Sequence, residues 1–230
     1  MNVRLFSSVL LVALSVSLVT AQEGKPTLRF SKVAFLGNSI TKHGPKPSID
    51  WHGNWGMAAT AEARDYVHLV TAGLTKAQAA APQILVNNIA QFEREHATYD
   101  VEKGLADTAA FAATHIVIAI GENVPALTTD AAKATFKAKM QALIKMLNGP
   151  QKPTFIVRGS FWANAAKDQI LEEVCREVGG VFVDLRAVSK DESNYARSER
   201  PYKHAGVGNH PGDKGMQSIA DAILKALLQQ

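Results

Sequence analysis

Three short stretches carry side chains that could work together chemically: Gly37-Asn38-Ser39-Ile40, Gly121-Glu122-Asn123 and Asn209-His210-Pro211. A serine hydroxyl is a weak nucleophile until a neighbouring base takes its proton, and histidine suits that task near neutral pH. An asparagine amide offers the complementary service, donating to charge that develops on a carbonyl oxygen. Each residue also has a plainer reading. Ser39 suits a helix N-cap, Asn123 suits a turn, and His210 alone reads as a surface histidine.

The elements that would position these residues are legible in the apolar pattern. Val33-Ala34-Phe35-Leu36, Ile84-Leu85-Val86, His115 to Ile120, Thr154 to Val157 and Val181-Phe182-Val183 read as short buried strands. Helical patterns lie between them: Trp55 to about Gln78 with a break near Gly73, Asp130 to Leu147, Asp168 to Val178, and Lys214 to the C-terminus. A weaker helical segment covers Val101 to Phe111. Asn148-Gly149-Pro150 terminates the Asp130 helix, and Asp213 is expected to cap the last one. Short apolar strands alternating with helices predict one α/β domain with a parallel sheet covered on both faces. Ligands in such sheets bind at the carboxyl ends of the strands, where Ser39 and Asn123 fall. Residues 189–208 read as a long loop of the kind that often carries function.

Arg4 followed by the apolar run Val9 to Val19 and the small residues before Gln22 predicts a signal peptide over 1–21, cut after Ala21. The mature domain is then 22–230, secreted or periplasmic, with no stable membrane anchor. The chain carries 25 basic and 21 acidic residues. The basic ones are scattered, which disfavours nucleic acid as a partner. Cys175 is the single cysteine, so no internal disulfide forms, and it falls in an apolar helical rhythm. His43, His52 and His204 show no metal-ligand spacing, and no cofactor or metal is implied. The sequence sets no oligomeric state.

Taken in order, Phe35-Leu36-Gly37-Asn38-Ser39-Ile40-Thr41, Gly121-Glu122-Asn123 and Asn209 to Met216 resemble the blocks of the SGNH hydrolases, the GDSL esterases and lipases, over essentially all of the mature chain. The resemblance implies a three-layer α/β/α sandwich with a central parallel sheet and a carboxylic ester hydrolase. It implies Ser39 as nucleophile, His210 as catalytic histidine and Asn123 as oxyanion donor beside the Ser39 backbone. Two positions depart from the family pattern. Val207 stands where an aspartate usually precedes the histidine by three residues. After the second strand comes Asn87-Asn88-Ile89-Ala90, with no glycine to complete the oxyanion hole. Asp184, Asp191, Glu192 or a backbone carbonyl near Val207 is expected to orient His210, and Asn88 or the Ala90 N–H to serve as the further oxyanion donor.

Trp51, Trp55 and Trp162 are expected near the same edge, as a platform for a sugar ring or as walls of an acyl pocket. A core role for Trp55 is the simpler alternative. The expected substrate is a small acyl ester, with O-acetyl groups on a glycan fitting best. A lysophospholipase or general short-chain esterase is the alternative, and an inactive carbohydrate-binding protein on the same scaffold is the alternative of another class.

Overall fold

The computed structural model describes residues 29–230. The expected signal peptide and its cut site lie outside the described residues. Five strands, Lys32–Gly37 (β1), Gln83–Asn88 (β2), His115–Ala119 (β3), Thr154–Arg158 (β4) and Val181–Val183 (β5), pair in parallel in the order β2-β1-β3-β4-β5. Eight α-helices accompany them among the described residues: Tyr66–Gln78 (α1), Ala90–Glu95 (α2), Val101–Gly104 (α3), Ala106–Ala110 (α4), Asp130–Leu147 (α5), Ala165–Glu177 (α6), Ala205–Gly208 (α7) and Asp213–Leu228 (α8).

Strand side chains alternate between the two faces of a sheet, and here both faces are apolar. Ala34, Leu36, Ile116, Ile118 and Val157 pack with Phe92 of α2, Phe136 and Met140 of α5, and Leu171 of α6. The intervening Val33, Phe35, Val117, Ala119 and Ile156 pack with Val67 and Val70 of α1 and with Ile219 and Ile223 of α8. The result is a three-layer α/β/α sandwich. From β1 the chain steps outward to β2, then returns to place β3 on the other side. The crevice between the carboxyl ends of β1 and β3 is thus the topological switch point, where such sheets bind ligands.

Several elements differ from the sequence expectations, each for a local reason. The first helix starts at Tyr66 rather than near Trp55. Asp65 caps it by accepting from the His68 N–H at 2.9 Å, and its other oxygen accepts from the Gly56 N–H at 3.0 Å. The Trp55 indole donates to the Ala59 carbonyl at 3.0 Å. These side-chain bonds to the main chain compete with helix formation over 55–65. Helix α1 runs unbroken through Gly73, where an added Cβ would come within 2.6 Å of Leu224 on α8. Gly73 therefore marks a close helix–helix approach. The weak 101–111 segment divides into α3 and α4 around the buried Leu105.

Helix α6 begins at Ala165, capped by Asn164. Asp168 lies inside it and holds the loop after β4 through the N–H groups of Ser160 and Asn164 at 2.8 and 2.9 Å. Asp213 is the first residue of α8 rather than its cap. Its carboxylate accepts from the Thr60 N–H and hydroxyl at 2.8 and 2.6 Å, while Glu199 accepts from the N–H groups of Asp213 and Lys214. A carboxylate from the preceding loop thus satisfies the orphan donors at this helix start.

Candidate active site

Ser39 sits in the tight turn that ends β1. The Asn38 carbonyl accepts from the N–H groups of Thr41 and Lys42, both at 2.9 Å, and the Asn38 side chain accepts from the Ile40 N–H at 3.1 Å. Gly37 makes the turn possible, because a Cβ there would lie 2.8 Å from the Ala119 carbonyl of β3. Among the described residues the Ser39 N–H has no acceptor, so it remains available to a ligand.

His210 reaches Ser39 from the far end of the chain. Its Nε2 is 2.8 Å from Ser39 Oγ, across 171 residues of sequence. Its other ring nitrogen, Nδ1, is 2.7 Å from the Gly206 carbonyl oxygen. A carbonyl can only accept, so Nδ1 carries the proton and Nε2 presents a lone pair to the serine. Trp162 stands edge-on to the imidazole, with ring centroids 5.3 Å apart. The backbone on both sides is fixed: the His210 carbonyl accepts from the Ala196 N–H at 2.9 Å, and Pro211 bridges to Tyr195. Burial pushes the His210 pKa down to about 4, although the Gly206 carbonyl and the Glu122 charge pull it upward.

The three acids expected as possible partners of this histidine are engaged elsewhere. Asp184 forms a bidentate pair with Arg186, Asp191 bonds Ser193 and Lys214, and Glu192 pairs with Arg197. Val207, at the position where the family has aspartate, packs with Trp51, Met57, Ala58 and Ala196.

Asn123 stands beside the pair at the end of β3, held by a residue the sequence reading did not single out. Glu93 of α2, fully buried, accepts from the Asn123 side-chain amide at 2.7 Å, the Asn123 N–H at 3.2 Å, the Gly121 N–H at 2.7 Å and Asn38 Nδ2 at 3.1 Å. One amide hydrogen of Asn123 is thus fixed on Glu93, which leaves the second for the cavity. Every partner of Glu93 is a donor, the pattern of an ionised carboxylate. Burial and the nearby Glu122 charge push the Glu93 pKa up, against these hydrogen bonds.

Glu122 continues the network below the turn. It accepts from Asn38 Nδ2, Arg158 and the Phe161 N–H, each at 2.7 Å. Burial raises its pKa, but the Arg158 charge and these donors outweigh that, so the net shift is downward. Arg158 and Glu122 are both buried, and each is costly without the other. The pair anchors the ends of β3 and β4 beneath the Ser39 turn.

Ser39, His210 and Asn123 line one cavity of about 410 Å³, with Asn88, Ala90, Arg94, His43, Lys46 and His204 among its other walls. The Ala90 N–H, expected as an oxyanion donor, is already given to Asn88 Oδ1 at 2.9 Å. Asn88 gives one amide hydrogen to the Lys42 carbonyl at 2.7 Å and keeps the other.

The tryptophans do not form one platform. Trp51 is buried, donates to the His43 carbonyl and packs edge-to-face on Trp55 at 5.8 Å. Both line a larger depression of about 760 Å³ with His52, Tyr202 and Val207, which contains neither Ser39 nor His210. Trp162 is separate from them, on the His210 side. Among the described residues no group of three or more His, Cys, Asp or Glu is placed to hold a metal ion.

No family model and no curated protein matches this sequence. Solved structures do match it. A GDSL-like lipase from Parabacteroides merdae aligns with a TM-score of 0.55 at 15% identity, over 89% of this chain and 99% of that one. A family 3 carbohydrate esterase from Talaromyces cellulolyticus aligns at 0.54 and 16%, over 86% and 96%. An acetyl xylan esterase aligns at 0.52 and 17%, over 85% and 98%. The fold is that of the SGNH hydrolases, the group of GDSL-like lipases and carbohydrate esterases.

Proposed function

We propose that this protein is a serine esterase that removes small acyl groups, with acetyl esters of a carbohydrate as the favoured substrate. The 2.8 Å contact between Ser39 Oγ and His210 Nε2 carries the reading. In the first half-reaction Ser39 Oγ attacks the ester carbonyl and His210 Nε2 takes its proton. The carbonyl oxygen, now negative, receives the Ser39 N–H and the free hydrogen of the Asn123 amide. The tetrahedral intermediate collapses as His210 returns the proton to the departing alkoxide, which leaves an acyl group on Ser39. Water, deprotonated by the same nitrogen, then attacks the acyl-enzyme and restores the serine.

The Gly206 carbonyl takes the place of a third acid. It fixes the tautomer and steadies the imidazolium through its dipole, without a full negative charge. The low pKa of His210 has a visible consequence. The imidazole must be neutral to accept a proton, and lowering its pKa keeps it neutral into acid. The value of kcat/KM on nitrophenyl acetate should therefore stay level as pH falls from 7 to 6 and decline only toward about 4. An acid limb centred near 6.5 would contradict it.

The acetyl preference draws support from the acetyl xylan esterase and carbohydrate esterase among the structures of this fold, and from the modest cavity at Ser39. Rates on nitrophenyl esters of increasing chain length test it. A sharp fall beyond two to four carbons is expected, whereas rates that rise toward eight carbons or more would favour lipolytic activity instead. We also propose that the enzyme acts outside the cytoplasm, which the character of residues 1–21 supports. An exported chain beginning at Gln22 is the expected N-terminus.

A further inference from the structure

Several cations around the carboxyl edge of the sheet are matched: Arg197 pairs with Glu192 at 2.7 Å, Lys203 with Asp50 at 3.3 Å and Lys214 with Asp191 at 3.1 Å. Lys46 and Arg94 are different. Both are exposed, both line the cavity that holds Ser39 and His210, and neither has an acidic partner within 4 Å among the described residues. Among the described residues no aspartate or glutamate lines that cavity.

The backbone under each cation is held. Lys46 exchanges two hydrogen bonds with Trp51, at 2.7 and 3.3 Å, and the buried Trp51 indole ties that loop to the His43 carbonyl. Arg94 lies one turn beyond Ala90 on α2, so the two share the helix face that borders the cavity, while Glu93 turns inward to the network. His43 and His204 complete the rim with neutral or positive groups. A concave site whose charged walls have a single sign concentrates ligands of the opposite sign.

We propose that the substrate is an anionic ester, an acylated sugar that bears a carboxylate, with Lys46 and Arg94 as the residues that recognise its charge. This rests on the esterase reading and narrows its substrate class. A uronic acid unit supplies such a carboxylate. A sulfated sugar shares the charge but not the geometry, so the experiment includes both. The planar guanidinium of Arg94 can grip a carboxylate with two parallel donors, and Lys46 acts as a point charge beside it.

The test compares an O-acetylated galacturonoside with its own methyl ester, which has nearly the same shape and no charge. Two exposed cations together should give the free acid an advantage of about five- to tenfold in kcat/KM at low salt. That advantage should shrink as ionic strength rises. In the Lys46→Gln/Arg94→Gln double variant the ratio should collapse to near one. An acetylated, sulfated sugar that matched or exceeded the uronate would overturn carboxylate recognition in favour of sulfate. Equal kcat/KM for acid and methyl ester in the wild type would overturn the proposal while leaving the esterase intact.

A binding measurement separates the two readings. Calorimetry of the Ser39→Ala protein with galacturonate and with methyl galacturonate should show the same preference in Kd. That preference, in a wild-type protein that hydrolyses no nitrophenyl acetate, would sustain anion recognition and sink the esterase. Equal Kd values would sink anion recognition.

Discussion

Ser39→Ala should lower kcat on nitrophenyl acetate by about 10⁴- to 10⁶-fold, and His210→Ala should cost a similar factor. The two losses are not independent. Ser39 Oγ is 2.8 Å from His210 Nε2, and in the proposed mechanism each group acts only through the other. The double variant should therefore be scarcely slower than either single one. Both proteins should remain folded. Ser39 gives only its hydroxyl to the contact, and the turn around it is held by the Asn38 carbonyl and side chain. Stopped-assay rates together with an unfolding midpoint check this. A Ser39→Ala protein that keeps more than a few per cent of the rate would mean that another group attacks the ester.

The second large effect belongs to Asn123 and the carboxylate that aims it. Asn123→Ala removes the proposed oxyanion donor and should cost about 10²- to 10³-fold in kcat, with little change in KM, because such a donor acts on charge present in the transition state. Glu93→Gln should cost about as much through the same atom. The Glu93 carboxylate accepts four N–H groups, whereas glutamine brings its own NH₂ into that ring of donors. One N–H must then lose its acceptor, and the Asn123 amide on Oε2 is the simplest to displace. Glu93→Gln should also lower stability by about 1–3 kcal/mol, the usual cost of an unsatisfied buried polar group.

The two effects can be told apart. In an Asn123→Ala background, Glu93→Gln should add little further loss of kcat while still lowering the unfolding midpoint. Full multiplication of the kinetic losses would show that Glu93 acts by some route other than Asn123.

Much of this was legible in sequence because the signals are local. The β-branched run from His115 to Ile120 can pack on both faces and reads as β3. The 3.6-residue spacing of Phe136, Met140, Leu143, Ile144 and Leu147 gives α5, with all five buried. Ser39 and Asn123 stand at strand ends, and His210 lies just before the last helix, so topology alone brings the first two to one crevice.

What stayed hidden depends on contacts between distant segments or on atoms every residue has. In Gln91-Phe92-Glu93-Arg94-Glu95, Glu93 looks like one polar residue among several; its partners lie 28 to 55 residues away. The faint clue is its spacing from Ala90, which puts it on a helix side that can turn inward. The Gly206 carbonyl is a main-chain atom and leaves no mark in composition. Ala-rich residues 55–65 favour helix by propensity, but Asp65 and the Trp55 indole spend their hydrogen bonds on the loop. Asp213 is a natural cap by type, yet Thr60 takes its carboxylate and Glu199 supplies the cap instead.

Covalent trapping tests the central claim most directly. A fluorophosphonate reacts with an activated serine hydroxyl and stops at the phosphonylated enzyme, so the peptide that carries the added mass names the nucleophile. One adduct per chain is expected, on the peptide containing Ser39, formed quickly in the wild type and hardly at all in His210→Ala. An adduct on a different serine, or equal labelling rates with and without His210, would contradict the Ser39–His210 account.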